Sequence, residues 1–266
     1  MRHISAIAGR ELRSFFLSPV AYVVLALWAL LAATFFLASV IAFDAEVARM
    51  QQFGAFDQLE RLNLNDHLIG SFLFSMWFVS IFAFPAITMG LFAAEKANGT
   101  EELLLTSPLT IWEIVLGKFA AGGAFAAIMT AVAAFFPAML FAYGDPEVGK
   151  TLAGLLALFL VSLTYVAIGA FASSLTRNQL VAFLVTLALL FGVGLLVPQL
   201  VVFGLASDAL GAQSPLVGVM RWLGTGAHFE RMVAGLVETR DLAYFALVTA
   251  GFLLLTKTSV ESVRWR

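Results

Sequence analysis

The side chains able to do chemistry are few and far apart. The three histidines, His3, His67 and His228, are separated by long stretches, and there is no cysteine. A thiol nucleophile, a disulfide framework and an iron–sulfur cluster are therefore excluded. No His, Cys, Asp or Glu grouping has metal-ligand spacing, and Asp66-His67 reads as ordinary surface. Neither Gly117-Lys118 nor Gly149-Lys150 is read as a phosphate-binding loop, so the chain is expected to hold no nucleotide of its own. The expectation is a chain that is not an enzyme, with no resident metal or cofactor. Any energy it uses must come from a partner.

Composition says where such a chain lives. Of 266 residues, 61% are hydrophobic and 12% charged, with a mean hydropathy of +0.96. Soluble domains carry about 25% charged residues, so a water-soluble enzyme is excluded. With 13% aromatics the chain is too apolar to stay disordered. The net charge of −2 shows no attraction to a polyanion, which argues against nucleic acid as a partner.

Crossing ~30 Å of hydrocarbon takes about 20 apolar residues in a helix. Five uncharged runs reach that length: Val20–Phe43, Leu68–Ala94, Phe119–Tyr143, Thr151–Thr176 and Asn178–Ser207. Leu242–Thr256 is a shorter sixth, flanked by Asp241 at headgroup level and a snorkelling Lys257. The reading is an all-α membrane protein with spans at 20–43, 68–94, 111–143, 151–176, 178–207 and 241–258. It forms a single domain over 1–266. The first run is too long for a cleavable signal and stays as an anchor. Nine basic residues fall on the side of the termini against six on the other, which places both termini in the cytoplasm. Ion-driven carriers place charge at midplane; the five uncharged runs argue instead for a cycle driven from outside.

Residues 3–17 read as an interfacial helix, with Ile4, Ile7, Ala8, Leu12 and Phe15 on one face and Arg10, Arg13 and Ser14 on the other. Ser18-Pro19 ends it. Glu11 falls on the apolar side. It either bends toward the headgroups or pairs with a base such as Lys96 or Arg177, fixing this helix to the bundle.

The segment 95–109 is the most informative. Gly99 can close a helix in the left-handed region, Thr100 can cap the next, and Glu101 and Glu102 suit its first turn. Leu103, Leu104 and Leu105 then form an apolar ridge before Pro108. Thr110 and Glu113 have capping-box spacing at the start of the third span. The ridge is either an elbow dipping into lipid or a knob for a partner's groove. The triplet Asn98-Gly99-Thr100 has glycosylation spacing, which is without meaning on the cytoplasmic side.

The run Glu95-Lys96-Ala97-Asn98-Gly99-Thr100-Glu101-Glu102-Leu103-Leu104-Leu105-Thr106-Ser107-Pro108-Leu109, followed by Trp112-Glu113-Ile114-Val115-Leu116-Gly117-Lys118, resembles ABC-2 permeases of the gliding-motility type. So do Arg10-Glu11-Leu12-Arg13-Ser14-Phe15-Phe16 and Arg240-Asp241-Leu242-Ala243-Tyr244-Phe245, with Glu261-Ser262-Val263-Arg264-Trp265 at the end. The resemblance implies a six-span, type V exporter-like permease with an N-terminal interfacial helix and re-entrant outer helices, in a bacterial cytoplasmic (inner) membrane. It also implies a separate ABC ATPase subunit carrying ATP and Mg, a second permease copy or paralogue, and an auxiliary outer-face subunit. Carried over by position, Glu95, Gly99, Thr100, Glu101 and Leu103–Leu105 form the ATPase-coupling segment. Lys96 stands where the family often has a second acid.

Pro85, Pro137 and Pro198 lie within the second, third and fifth spans, where each is either a tolerated proline or a kink used by a moving path. Pro85, Pro198 and the adjacent Gln199 are candidates for that path. Small residues from Gly117 to Ala124 suggest close packing. Phe53, Phe56, Leu59 and Leu62 suggest a short amphipathic helix in the loop 44–67. In 208–240, Leu216–Leu223 and Phe229–Val237, separated by Gly224-Thr225-Gly226, are too short to cross and read as re-entrant helices. Function is expected to be outward transport of an unspecified substrate, driven by ATP hydrolysis on the partner. The other reading is a scaffold or force transmitter that uses an ATPase and moves no solute.

Overall fold

The computed structural model describes residues 2–54, 62–100, 109–196, 199, 204 and 214–262. Those residues form helices and turns, with no strand among them. In chain order the helices are α1 (Arg2–Leu17), α2 (Pro19–Gln52), α3 (Gly70–Thr88, entered through a π turn at Asn65–Ile69) and α4 (Ala93–Asn98). Then come α5 (Ile111–Leu140), α6 (Val148–Leu175), α7 (Gln179–Ala188, continued as a π segment Leu189–Leu196), α8 (Pro215–Trp222), α9 (Thr225–Val233) and α10 (Thr239–Ser262).

Six helical stretches are long and apolar enough to cross a membrane: α2, Asn65–Asn98, α5, α6, Gln179–Leu196 and α10. α2 outlasts the apolar run that predicts it. It continues through Asp44 to Gln52, with Arg49 paired to Glu46 one turn earlier at 2.9 Å. Its 34 residues correspond to about 51 Å, well beyond the hydrocarbon. Of the amphipathic helix expected around Phe53–Leu62, residues 55–61 lie outside the described residues, and Phe53 ends α2 as an exposed turn residue.

The bundle is organised around α6, which packs against α3, α5, α7, α9 and α10. The most apolar window of α6 is 67% buried, against 17% for α2 and 18% for Gln179–Leu196. α2 and α7 therefore leave most of their surface for lipid or another chain. In lipid there is little hydrophobic drive between helices, so packing and internal hydrogen bonds hold the bundle. Phe36, Phe72 and Phe136 interlock α2, α3 and α5 with centroids 5.6–6.1 Å apart. The polar edges of buried aromatics find partners: Trp28 Nε1 donates to the Met129 carbonyl at 2.8 Å, and Trp77 Nε1 to the Tyr165 hydroxyl at 3.0 Å. Among the described residues no buried side-chain nitrogen or oxygen lacks a hydrogen bond.

α1 lies along α5. The approach is close because residue 117 is glycine: a Cβ there would stand 2.6 Å from Ile7 Cγ2. Ser18 caps α2 by accepting the Val20 N–H at 3.3 Å, and Pro19 fills the first helical position, where its missing N–H costs nothing. One face of the bundle thus carries α1, α4, the start of α5 and the ends of α6 and α10. The opposite face carries α9, the α5–α6 turn and the start of α10.

Candidate functional site

The α1 face holds a cluster of charges in a place that apolar spacing alone does not reveal. Lys118, just before the uncharged run Phe119–Tyr143, sits inside α5 on its buried stripe and is 1% exposed. Its ammonium lies 2.9 Å from Glu95 of α4 and 3.3 Å from Glu11 of α1. It also donates to the Leu91 carbonyl at 2.6 Å and stands 5.2 Å from the centre of the Phe92 ring. Arg10 adds a second cation, 2.7 Å from Glu11 and 3.5 Å from Glu95. Two cations face two carboxylates. That balance makes burial of the ammonium tolerable, since an unpaired buried charge costs several kcal/mol. The hydrogen bond to Glu11 holds the Arg10 guanidinium charged beyond its already high ordinary value, with Glu95 adding to the effect and burial opposing it.

Glu11 does pair with a base, but that base differs from the two expected. Lys96 donates to the Ser174 carbonyl at 2.6 Å, and Arg177 is exposed on the α6–α7 turn. Lys118 is favoured because α1 runs along α5 and brings Glu11 beside it. Arg10 joins the cluster, whereas Arg13 is exposed.

A second device fixes the elbow between α3 and α4 to α6. The Ser173 hydroxyl accepts the backbone N–H groups of Phe92 and Ala93, each at 3.0 Å, and donates to the Met89 carbonyl at 2.9 Å. One side chain satisfies three backbone groups where the chain changes direction. Ser173 lies between the small residues Ala172 and Ser174 and shows no sequence signal beyond being polar in an apolar helix. Lys118 had a signal: it lies seven residues after Ile111 and seven before Phe125, on one face of the helix.

Gly99 ends α4 with φ +71°, in the left-handed region, and Thr100 N–H closes the turn onto the Glu95 carbonyl at 3.1 Å. Thr110 accepts the Glu113 N–H at 3.3 Å while its own N–H donates to Glu113 at 2.9 Å, a complete capping box. Glu95 is thus placed beside Lys118, and Gly99 and Thr100 close the helix that carries it. Glu101, Leu103, Leu104 and Leu105 lie outside the described residues. Between α1, the start of α2, the α3–α4 elbow and α5 is a cleft of about 750 Å3, with Arg10, Glu11 and Glu95 on its polar wall and Val24, Ile87 and Phe125 on its apolar one. Of the path candidates, Pro85 is buried inside α3, Gln199 is exposed, and Pro198 lies outside the described residues.

The opposite face places three further features of the sequence. Gly144-Asp145-Pro146-Glu147-Val148-Gly149-Lys150-Thr151 does have the glycine and Lys-Thr spacing of a phosphate-binding loop. The structure gives it another role. The stretch joins two helices, with no strand before it. Lys150 is turned to Asp66 at 3.4 Å and Glu147 at 3.8 Å. Thr151 donates to the Glu147 carbonyl at 3.0 Å and accepts from Asn65 at 3.0 Å, while Glu147 N–H donates to Asn65 at 2.7 Å. The Lys150 ammonium, the Thr151 hydroxyl and the Glu147 N–H are thus spent tying α6 to the π turn before α3.

Asp241, expected at headgroup level, is wholly buried. His228 is buried against it, with Nδ1 2.7 Å from the carboxylate, and Arg231 binds the same carboxylate. The residues Gly224-Thr225-Gly226, expected as a separator, begin α9 instead, with Gly224 at its N-cap. Gly226 lets the helix approach the Trp77 ring, and Phe229 stacks on that ring at 5.6 Å.

The family model described as ABC-2 family transporter protein matches residues 5–258. No curated protein matches the chain. With the match running through the interfacial helix, the elbow and all six apolar helices, the chain belongs to the ABC-2 transporter family, as a multi-pass membrane permease.

Proposed function

We propose that this permease receives the work of ATP hydrolysis from a separate ABC ATPase subunit docked on its α1 face, and passes it to α3 and α6. In this reading the α1 face is cytoplasmic, the membrane is a bacterial inner membrane, and the cargo moves outward between two permease copies. ATP and Mg belong to the ATPase, and the Gly144–Thr151 stretch is already committed to internal bonds. The partner would meet the chain through α4 and the leucines that follow it.

The observation that carries the reading is the double anchoring of the elbow. Lys118 ties α4 to α1 and α5 through paired carboxylates, and Ser173 ties the same elbow to the central helix α6. A load applied at α4 therefore reaches the core through bonds between buried groups instead of being lost in a flexible loop. Work can bias a cycle only where contacts differ between its states, and the leucine ridge supplies the contact with the moving partner. A Leu104→Asp chain should insert and fold, yet neither retain the ATPase through purification in mild detergent nor stimulate its hydrolysis. Wild-type retention and stimulation by that variant would overturn the reading.

A further inference from the structure

The cleft beside α1 has chemistry that the coupling cluster leaves unused. Along α5 it runs from Lys118 to Phe125, seven residues or about 10 Å, from a charged end to an apolar one. Arg10, Glu11, Glu95 and Lys118 make the charged end; Val24, Ile87 and Phe125 make the apolar end. The start of α2 and the first residue of α7 flank it, on two helices that both pack on α3 and are otherwise mostly free of the bundle. Small residues hollow its floor: a Cβ on Gly90 would meet only the Ala94 methyl, at 4.0 Å. The volume of about 750 Å3 falls within the ~300–1,000 Å3 of small-molecule sites.

The charged end is paired internally but not saturated. Lys118 has three ammonium protons and directs them to Glu11, Glu95 and the Leu91 carbonyl. The contacts of both carboxylates with the two cations all fall on Oε1. Oε2 of Glu11 and Oε2 of Glu95 take no hydrogen bond from the described residues, and a carboxylate oxygen can accept two. Arg10 makes both of its contacts through Nη2, which leaves Nε and Nη1 open on a side chain that is 58% exposed. The mouth therefore offers N–H donors for an anion and carboxylate oxygens for an ammonium, side by side. A purely anionic head would face Glu11 and Glu95, and a purely cationic one would face Arg10. A zwitterion matches both signs.

We propose that this cleft binds a phosphatidylethanolamine molecule from the leaflet on the α1 side. Its phosphate meets the open donors of Arg10, its ammonium meets Oε2 of Glu11 and Glu95, and the upper part of one acyl chain lies on Val24, Ile87 and Phe125. Ethanolamine suits these oxygens better than choline, because its ammonium carries N–H donors and a charge-assisted hydrogen bond forms. The lipid is a resident of the cleft and not cargo, and it covers the open side of the charge cluster. Such binding needs no ATPase, so its absence would leave the coupling reading untouched.

A photoactivatable diazirine on the upper acyl chain reads the site in the full chain, in nanodiscs of phosphatidylcholine and phosphatidylglycerol. Three probes carry the same tail on different heads: phosphatidylethanolamine, phosphatidylglycerol and diacylglycerol. The first should label residues 20–24 and 86–91 about tenfold more than either of the others, the effect of one charge-assisted hydrogen bond. Gly90→Leu fills the floor and should lower that label about as much, whereas Gly251→Leu, at an equally open glycine on α10, should not. Arg10→Gln should narrow the preference for phosphatidylethanolamine over diacylglycerol. Water-soluble glycerophosphoethanolamine should not compete; competition by it would assign the site to a free headgroup and overturn the lipid. Equal labelling by the three heads overturns the proposal, as does a label that Gly90→Leu leaves unchanged. No cleft labelling by any probe overturns it too, and points to a second copy of this chain as the occupant. Should Gly90→Leu unfold, the wild-type head preference and its response to Arg10→Gln decide.

Discussion

The Lys118 ammonium on α5 lies 2.9 Å from the Glu95 carboxylate on α4, although 107 residues separate Lys118 from its other acidic partner, Glu11. Breaking that node is the direct test of its role. Lys118→Met leaves Glu11 and Glu95 beside one arginine and removes the donor to the Leu91 carbonyl. Loss of one partner from a buried ion cluster costs about 3–5 kcal/mol. Because the two glutamates keep some exposure, the lower end is expected. Thermal unfolding in detergent should show a clear drop. Adding Glu11→Gln and Glu95→Gln should recover much of the stability while ATPase stimulation stays lost. A triple variant no more stable than Lys118→Met would mean the charges matter less than the packing of the stem.

Ser173→Ala isolates the second anchor. The methyl fits the space but leaves the Phe92 and Ala93 N–H groups and the Met89 carbonyl unmet. Orphaning a buried polar group costs about 1–3 kcal/mol. Water reaching the elbow would reduce this, so a loss near the lower figure is expected. Hydrogen exchange should accelerate at Phe92 and Ala93 and not in α9. Unchanged exchange at both amides would show that the hydroxyl does not hold the elbow.

Gly99 sets how the chain leaves α4. An L-residue in the left-handed region costs roughly 1–2 kcal/mol, so Gly99→Ala should weaken ATPase stimulation partially. Gly99→Pro cannot adopt φ +71° and should abolish stimulation while membrane insertion remains normal. Wild-type stimulation by both variants would indicate that the turn has no part in coupling.

The Lys-Thr stretch at the α5–α6 turn makes an opposite prediction. In a working phosphate-binding loop, loss of the lysine cripples hydrolysis. Lys150→Ala should instead leave hydrolysis by the whole assembly within about twofold, and cost at most ~1 kcal/mol from an exposed pair with Asp66. Nucleotide binding by the isolated permease that disappears in this variant would reverse the assignment.

These cases show what a sequence exposes and what it hides. Spans follow from runs of apolar residues, and the turn at Gly99 and the cap at Thr110 follow from neighbours a few residues apart, so both are legible. The partners of Glu11, Lys118, His228 and Asp241 come from helices brought together only by packing. A charge at the end of an apolar run looks solvated until its partner is known, and Lys118 and Asp241 both lie at such ends. The Gly144–Thr151 pattern misleads in the other direction: its spacing is complete, but no strand precedes it, and its lysine and threonine side chains are bound to neighbouring residues. α2 also shows that a helix need not stop where hydropathy falls, since Asp44 to Gln52 are good helix residues in water.

The buried Trp77–Tyr165 pair allows the strength of a core hydrogen bond to be weighed in this bundle. Tyr165→Phe removes the acceptor of the Trp77 indole proton and creates no cavity beyond one oxygen. Interhelical bonds in membrane proteins average about 0.6 kcal/mol by double-mutant cycles, less than the 1–3 kcal/mol of a buried orphan in water-soluble proteins. Trp77 has further support, since Phe229 stacks on its ring and Phe74 meets it edge-on. Those contacts survive the substitution, so a loss of about 1 kcal/mol or less is expected. Trp77→Phe should cost more, because it also removes the surface on which α9 rests, and should increase hydrogen exchange in α9. In a cycle of the two substitutions the coupling should stay below about 1 kcal/mol. A larger coupling would mean that this bond, and not the stacked rings, holds α3 to α6 at this level.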